Sequence, residues 1–262
     1  MNRYVIFLLF VGFLPALLLL AGCGAKKPSN TKAKLVDSLS QPIYPADHKL
    51  TAQERKSLSN KYLKQKGVPV LEHLPLVADY RTAKFRNEKE VAKKALVLSG
   101  LIQVAYEEKT SVEIIAYFKK YSLWSAVSPE EREYLQKQRR TKEDNIPVSW
   151  RVENLYVLLW ALGSLDSLPF PANQCDFNIY DHLPDMESDP TEWVSNAKLR
   201  NTEDILNETD LIYRIHWATR QAGLDDKPMP ANLNDDIVFE RHFALNWLTM
   251  YAANWDDITT DT

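Results

Sequence analysis

Glycine is almost absent from most of this chain. From residue 25 onward, the 262-residue sequence contains only Gly67, Gly100, Gly163 and Gly223. Sheets built from hairpins need glycine, asparagine or aspartate at the turn positions where φ is positive. So few glycines over so long a segment therefore favour helices joined by loops over an antiparallel sheet.

Apolar residues recur at the helical period in two long stretches. In one of them, Val91, Ala95 and Leu98 lie on a single helical face. Helix starts are also marked: Ser128 precedes a proline, and a glutamate three residues on can complete a capping box. The sequence predicts an all-α fold, with a single multi-helix globular domain over residues 51–262. The expected helices, about seven in number, cover residues 51–66, 87–107, 110–121, 129–141, 149–164, 202–222 and 235–252.

One long connection interrupts the helical pattern between residues 165 and 200. It contains Pro169, Pro171, Pro184 and Pro190, and proline removes the backbone N–H that a helix interior needs. Connections of this length are uncommon inside a compact domain and often carry function. Residues 165–200 are therefore a candidate interaction segment.

The N-terminus has the features of a secretory leader. Arg3 precedes an uncharged apolar run over residues 4–20, which is short for a spanning helix of roughly 20 apolar residues. The run ends in Leu-Ala-Gly-Cys at residues 20–23, where small residues precede a cysteine as a signal peptidase requires. The sequence predicts a signal peptide over residues 1–22. An uncleaved N-terminal membrane helix is the alternative.

The Leu-Ala-Gly-Cys sequence resembles the lipobox of bacterial lipoproteins. This resemblance implies diacylglycerol on the sulfur of Cys23, cleavage before that residue and acylation of the new amine, for example with palmitate. Several acyl chains together give near-permanent membrane anchoring. Gly24, in place of an aspartate, implies the outer membrane facing the periplasm if the host is Gram-negative. Residues 23–50 are rich in lysine, serine and proline and predict a lipidated, disordered tether outside the cytoplasm.

Signatures of cofactor and nucleic-acid binding do not occur in the sequence. It has no phosphate-binding loop, nucleophile elbow or metal-spacing motif, so no cofactor is expected. The formal net charge is -3 and no basic stripe is interleaved with aromatic residues, which argues against a nucleic-acid partner. Cys175 is a poor candidate for a nucleophile, because the neighbouring Asp176 disfavours the thiolate.

Several C-terminal segments resemble an uncharacterised bacterial family, the domain of unknown function numbered 4272. Those that carry the resemblance read Trp-Arg-Val-Glu (150–153), Leu-Leu-Trp-Ala-Leu-Gly (158–163), Leu-Pro-Phe-Pro (168–171), Cys-Asp (175–176), Leu-Arg (199–200), Asp-Leu-Ile-Tyr-Arg-Ile-His-Trp-Ala (210–218), Glu-Arg-His-Phe-Ala-Leu-Asn-Trp-Leu (240–248) and the stretch from Trp-Asp-Asp to the end (255–262). The resemblance spans roughly residues 55–262. It implies no catalytic or binding residues.

Ionisable residues interrupt two apolar helices near the C-terminus. In the last predicted helix, Glu240, Arg241 and His242 lie among apolar residues, and a helix that is apolar on all sides is usually buried. Buried charges must be paired. We expect these residues to join Arg214 and His216 in one buried polar network that fixes the packing of the helices.

The same cluster can instead be interpreted as a functional site. Its catalytic candidates are Glu240, His242, His216 and Arg214. Either Glu240 or His242 would act as a general base, and an arginine would hold an anionic substrate. A metal site is a further alternative, although the spacing matches no recognised metal motif. Its candidate ligands are His216, His242, Asp256 and Asp257.

Two functions of different class follow from these observations. The favoured hypothesis is a membrane-anchored, non-catalytic envelope lipoprotein that binds a protein or another envelope component, with residues 165–200 as a contact segment. The alternative is a membrane-tethered enzyme of the hydrolase type that uses the buried Glu, His and Arg cluster. Both hypotheses assign the membrane as a partner through acyl chains on Cys23.

Overall fold

Helices account for nearly all regular structure in the computed structural model, which describes residues 44–45 and 49–262. Nine α-helices and no strand occur among these residues, so the predicted all-α fold is confirmed. The helices are α1 (Ala52–Gln65), α2 (Glu88–Ala105), α3 (Ser111–Lys120), α4 (Pro129–Gln136), α5 (Lys142–Trp150), α6 (Val152–Ala161), α7 (Thr191–Ser195), α8 (Thr202–Leu224) and α9 (Asp235–Leu248).

Two of these helices were not expected from the sequence. Helix α5 contains Pro147, which breaks the pattern from which a helix is predicted. Helix α7 has only five residues and lies inside the proline-rich connection. The other seven helices correspond to the seven predicted ones, although their ends differ in places. Helix α4 ends at Gln136 rather than at residue 141, α6 spans Val152–Ala161 rather than 149–164, and α9 ends at Leu248 rather than at residue 252.

Side-chain caps define where many of the helices begin. Asn87 and Ser128 each form a reciprocal capping box, in which the cap side chain and a glutamate three residues on satisfy each other's backbone N–H groups. Thr51, Thr110 and Thr141 form such a box at the starts of α1, α3 and α5, with Asp144 in the place of the glutamate in α5. These caps satisfy backbone donors that a helix start leaves free, which explains why local sequence positions the helix starts well.

Helices α2 and α6 form the centre of the domain. Helix α6 packs against α2 on one side and α9 on the other, α9 packs along α8, and α8 packs against α1. Gly100 of α2 allows a close approach of α3, because a Cβ at this position would lie 2.6 Å from Cζ of Phe118. Helices α8 and α9, which carry the candidate site residues, therefore form one side of this layered bundle.

The long connection is packed against the domain. Leu168, Cys175, Ile179 and Met186 are buried in the core. A 3-10 helix, Phe177–His182, and α7 supply local structure within it. Two open surface pockets are lined in part by residues of the connection. Residues 165–200 thus form an ordered surface.

The packed domain includes residues that the sequence pattern assigned to the tether. The hydroxyl of Tyr44 lies 3.1 Å from the hydroxyl of Ser59, and Leu50 is buried. The predicted signal peptide, Cys23 and most of the predicted tether lie outside the described residues. Within the described part of the chain, no helix combines the length and the apolarity that a bilayer span requires.

Candidate functional site

Arg241 joins three elements through a buried ion pair. Its Nε donates to Oε2 of Glu153 on α6 at 2.9 Å, and its Nη1 donates to the carbonyl oxygen of Pro169 in the long connection at 2.5 Å. The other carboxylate oxygen of Glu153 accepts from the backbone N–H of Cys175 at 2.7 Å. The ion pair joins α9 to α6, and the contacts with Pro169 and Cys175 hold the connection against these two helices. Through Nε and Nη1, Arg241 therefore has a structural role in joining these elements.

The remaining charged candidates also have partners within the domain. Arg214 forms a bidentate pair with Asp210, with Nε at 2.9 Å from Oδ2 and Nη2 at 2.5 Å from Oδ1. Glu240 accepts hydrogen bonds from the amide of Asn154. The expected single network is therefore wrong in one respect: the residues form separate hydrogen-bonded groups.

Two histidines that the sequence placed on different helices meet directly. Nδ1 of His216 lies 2.8 Å from Nδ1 of His242, and the ring planes are at 87°. Burial lowers the pKa of His216 to about 4 and that of His242 to about 3. Both rings are neutral at neutral pH, so one Nδ1 donates and the other accepts.

The metal interpretation gains no third ligand from the structure. Asp256 accepts from the backbone N–H of Glu130 at 3.0 Å, and Asp257 accepts from Asn254 at 2.7 Å. Among the described residues, no group of three or more histidine, cysteine, aspartate or glutamate side chains could hold a metal ion. The two aspartates therefore lie apart from the histidine pair.

The carboxyl groups of Glu240 and Glu208 hold their protons to a higher pH than ordinary glutamates do. Burial raises the pKa of each to about 7. Glu208 lines a narrow cleft beside Pro169, Leu245 and Arg241, whose Nη2 has no hydrogen-bond partner. The cleft has a volume of about 20 Å³, room for about one water molecule. It is too small to admit a substrate in this conformation.

Cys175 is disfavoured as a nucleophile, as predicted, but the cause is burial and the nearby Glu153 carboxylate rather than Asp176. It is buried, and burial raises the pKa of its thiol far above the ordinary value. The thiol is therefore inert toward nucleophilic chemistry at neutral pH.

A larger cavity lies beside His242. Its volume is about 400 Å³ and His242 is in its lining. Side chains from four parts of the chain surround it: Leu76, Val77, Ala78, Thr209, Tyr213, His242, Asn246, Thr249, Tyr251 and Asp261. Of these residues, His242 was a catalytic candidate from the sequence. No local pattern marks the others, because they come together only when α8, α9, the 76–78 segment and the C-terminal residues pack.

The described residues form an all-helical domain in which the charged candidate residues are paired internally. A medium-sized cavity of this domain has His242, one member of the histidine pair, in its lining. The chain belongs to the family described as Domain of unknown function (DUF4272), whose model matches residues 55–258. No curated protein and no solved structure gives a significant match to it.

The histidine pair predicts a specific pH dependence of stability. Both pKa values lie below the unfolded value of 6.5, so the stability that depends on neutral rings is complete above that value and is lost as the pH falls. Between about pH 6 and 4, we expect unfolding free energy to fall by up to about 1.4 kcal/mol per pH unit for each histidine. Urea denaturation of the wild type and of a His216→Gln, His242→Gln double variant across this range measures the difference in slope.

In that comparison the carboxyl groups contribute equally to both proteins. The raised pKa values of Glu208 and Glu240 act in the opposite direction, because their contribution is present at low pH and is lost as the pH rises through about 7. Equal slopes in the wild type and the double variant would show that the histidines do not carry this dependence.

Proposed function

We propose that this protein is a lipid-anchored lipoprotein of the bacterial cell envelope whose helical domain binds a partner or ligand without transforming it. One observation carries the non-catalytic part: the charged candidates Glu240, Arg241 and Arg214 each have a hydrogen-bonded partner inside the domain. A general acid or base must reach the proton that it transfers. Side chains held in internal pairs stabilise the packing of the helices and are not available to transfer a proton to a substrate.

The anchor is supported by the leader sequence. The Leu-Ala-Gly-Cys sequence at residues 20–23 follows an apolar run with one preceding arginine. Acyl chains on Cys23 would hold the domain at the outer side of the cytoplasmic membrane, or on the periplasmic face of the outer membrane in a Gram-negative host. Few apolar residues occur between Cys23 and the packed domain, which suits a solvated linker.

A hydrolase is the second candidate, and one specific observation favours it. The pKa of Glu240 is raised to about 7, which is where a general acid or base works best at neutral pH. The same shift also arises when a structural carboxyl group is buried, since burial is the main cause of the raised pKa of Glu240. The contact with Asn154 supports this structural explanation.

Intact-mass measurement of the protein extracted from washed membranes tests the anchor. We expect a mature chain that begins at Cys23 and carries the mass of diacylglycerol and a third acyl chain. A Cys23→Ser variant should lack these additions and should not be processed at this position. A wild-type protein recovered from the cytosol with an unmodified N-terminus would contradict the anchor.

Replacement of Glu240 with glutamine tests whether the domain is catalytic. The variant retains the hydrogen bond to Asn154 but cannot exchange a proton, so we expect full complementation of a deletion strain and an unchanged or higher melting temperature. A parallel His242→Gln variant reports on the histidine pair. Unchanged stability with lost complementation in Glu240→Gln would favour the hydrolase.

A further inference from the structure

We propose that the cavity beside His242 is a binding site for a neutral, hydroxyl-rich ring compound such as a monosaccharide or disaccharide. The cavity is the one lined by residues of α8 and α9, by residues 76–78 and by Tyr251 and Asp261. This assignment rests on the proposed function, since it supplies the ligand class that the domain would bind.

The size of the cavity fits a small molecule. Its volume of about 400 Å³ lies within the range of roughly 300 to 1,000 Å³ that is typical of ligand pockets. Leu76 and Val77 contribute apolar surface to the lining, and Thr209, His242 and Asn246 contribute polar groups. A mainly apolar cavity with few polar groups is the usual form of a small-molecule site.

The charge of the lining favours a neutral ligand. None of the described residues around the cavity is a lysine or an arginine, so an anion would find no partner. Asp261 is the single carboxylate of the lining; it is exposed and already accepts from the Thr259 hydroxyl at 2.8 Å. Desolvating a charged ligand without a close partner is costly. His242 adds no charge, because its ring is neutral.

The polar atoms that remain available are mostly acceptors. The hydroxyl groups of Thr209 and Thr249 donate to backbone carbonyls of their own helices at 2.7 and 2.8 Å. The amide nitrogen of Asn246 donates to the carbonyl of Thr259 at 2.8 Å. These contacts leave hydroxyl and amide oxygens to accept from a ligand. A compound that presents several hydroxyl groups matches this arrangement.

Two tyrosines give the site a surface for a ring. Tyr213 on α8 and the exposed Tyr251 after α9 both line the cavity. An aromatic face is apolar and can cover the C–H face of a sugar ring while the hydroxyl groups at the ring edge reach the acceptors. The combination of aromatic faces and acceptors distinguishes this cavity from a purely apolar one.

His242 links ligand binding to the state of the histidine pair. Its Nδ1 is bonded to His216, whereas its Nε2 has no hydrogen-bond partner among the described residues. If a ligand hydroxyl donates to Nε2, the proton of His242 must lie on Nδ1 and point to Nδ1 of His216. His216 then carries its proton on Nε2. A bound hydroxyl compound should therefore fix one tautomer of both rings.

Nuclear magnetic resonance of the full chain in detergent micelles, with nitrogen-15 in the histidine side chains, tests the proposal. The probes are glucose, N-acetylglucosamine and the disaccharide maltose, with acetate and tetramethylammonium as charged controls. We expect at least one sugar to give saturable shifts of the His242 nitrogens, with Nε2 unprotonated in the bound state. The His242→Gln variant assigns the signals.

Matched variants locate the binding. Ala78→Phe adds bulk at an exposed position of the lining, and Tyr251→Ala removes one aromatic face; each should abolish or weaken saturation at least tenfold. Tyr106→Ala, which changes an exposed tyrosine outside the lining, should leave binding unchanged. Saturation that persists in both cavity variants would overturn the location.

The remaining outcomes separate this proposal from the proposed function. Saturation by tetramethylammonium alone would overturn the neutral ligand class, and the absence of saturable shifts with every sugar would overturn the site while leaving a binding function intact. Proton spectra of the sugar recorded during the titration report on turnover. Conversion of a bound sugar would overturn the non-catalytic function while leaving the site in place.

Discussion

Replacement of Arg241 with methionine is expected to lower the free energy of unfolding by about 3 to 5 kcal/mol, because it leaves the buried Glu153 carboxylate without its cation. Glu153 is fully buried and lies 2.9 Å from Nε of Arg241. The substitution also removes the hydrogen bond to Pro169 that holds the long connection. Thermal unfolding should show a decrease of roughly 2 to 4 °C per kcal/mol for a domain of this size.

A second substitution at the same pair provides the control. In the Glu153→Gln, Arg241→Met double variant no unpaired charge remains, and the glutamine can still accept from the backbone of Cys175. Much of the lost stability should return, since a buried ion pair can often be replaced by uncharged residues. A single variant as stable as the wild type would show that Arg241 does not compensate the Glu153 charge.

Replacement of Lys94 with methionine is expected to lower the free energy of unfolding by up to about 3 to 5 kcal/mol, because it removes the closer of two cations from the buried Glu131 carboxylate and leaves only Arg151 at 3.5 Å. Lys94 of α2 and Glu131 of α4 are both buried, and Nζ lies 2.9 and 2.8 Å from the two carboxylate oxygens. The Lys94 ammonium also lies 4.2 Å from the ring centroid of Trp255. Denaturant unfolding measures the loss directly.

An exposed lysine provides a matched comparison. Lys109 forms an ion pair with Glu187 at 2.5 Å, but the glutamate side chain is 81% exposed. Lys109→Met should therefore change unfolding free energy by less than about 1 kcal/mol, as is usual for surface pairs. Equal losses for the two lysine substitutions would indicate that burial does not determine the cost.

The local sequence predicted where helices begin better than where they end. Caps such as Ser128 act within one turn, so a serine followed three residues later by a glutamate is sufficient to locate a helix start. Helix α5 was not predicted, because Pro147 lies within it and proline normally disrupts a helix. The packing of α5 against α2 compensates for the lost N–H and for the clash with the preceding turn. Helix ends depend on such contacts more than starts do.

The partners of the candidate residues could not be predicted. Glu153 and Arg241 are 88 positions apart in the chain, and Asn154 and Glu240 are 86 apart. Without tertiary contacts, the sequence shows only that charged residues in an apolar helix require partners. It does not indicate which residues supply them.

By itself, the sequence determined the helical class, the position of six helix starts to within one residue and the lipobox-like leader, because periodicity, caps and processing signals act over a few neighbouring residues. Tertiary structure alone decided that the charged residues form separate pairs, that His216 contacts His242, and that a cavity opens beside this pair. These features depend on how α6, α8 and α9 pack, and packing joins residues far apart in the chain.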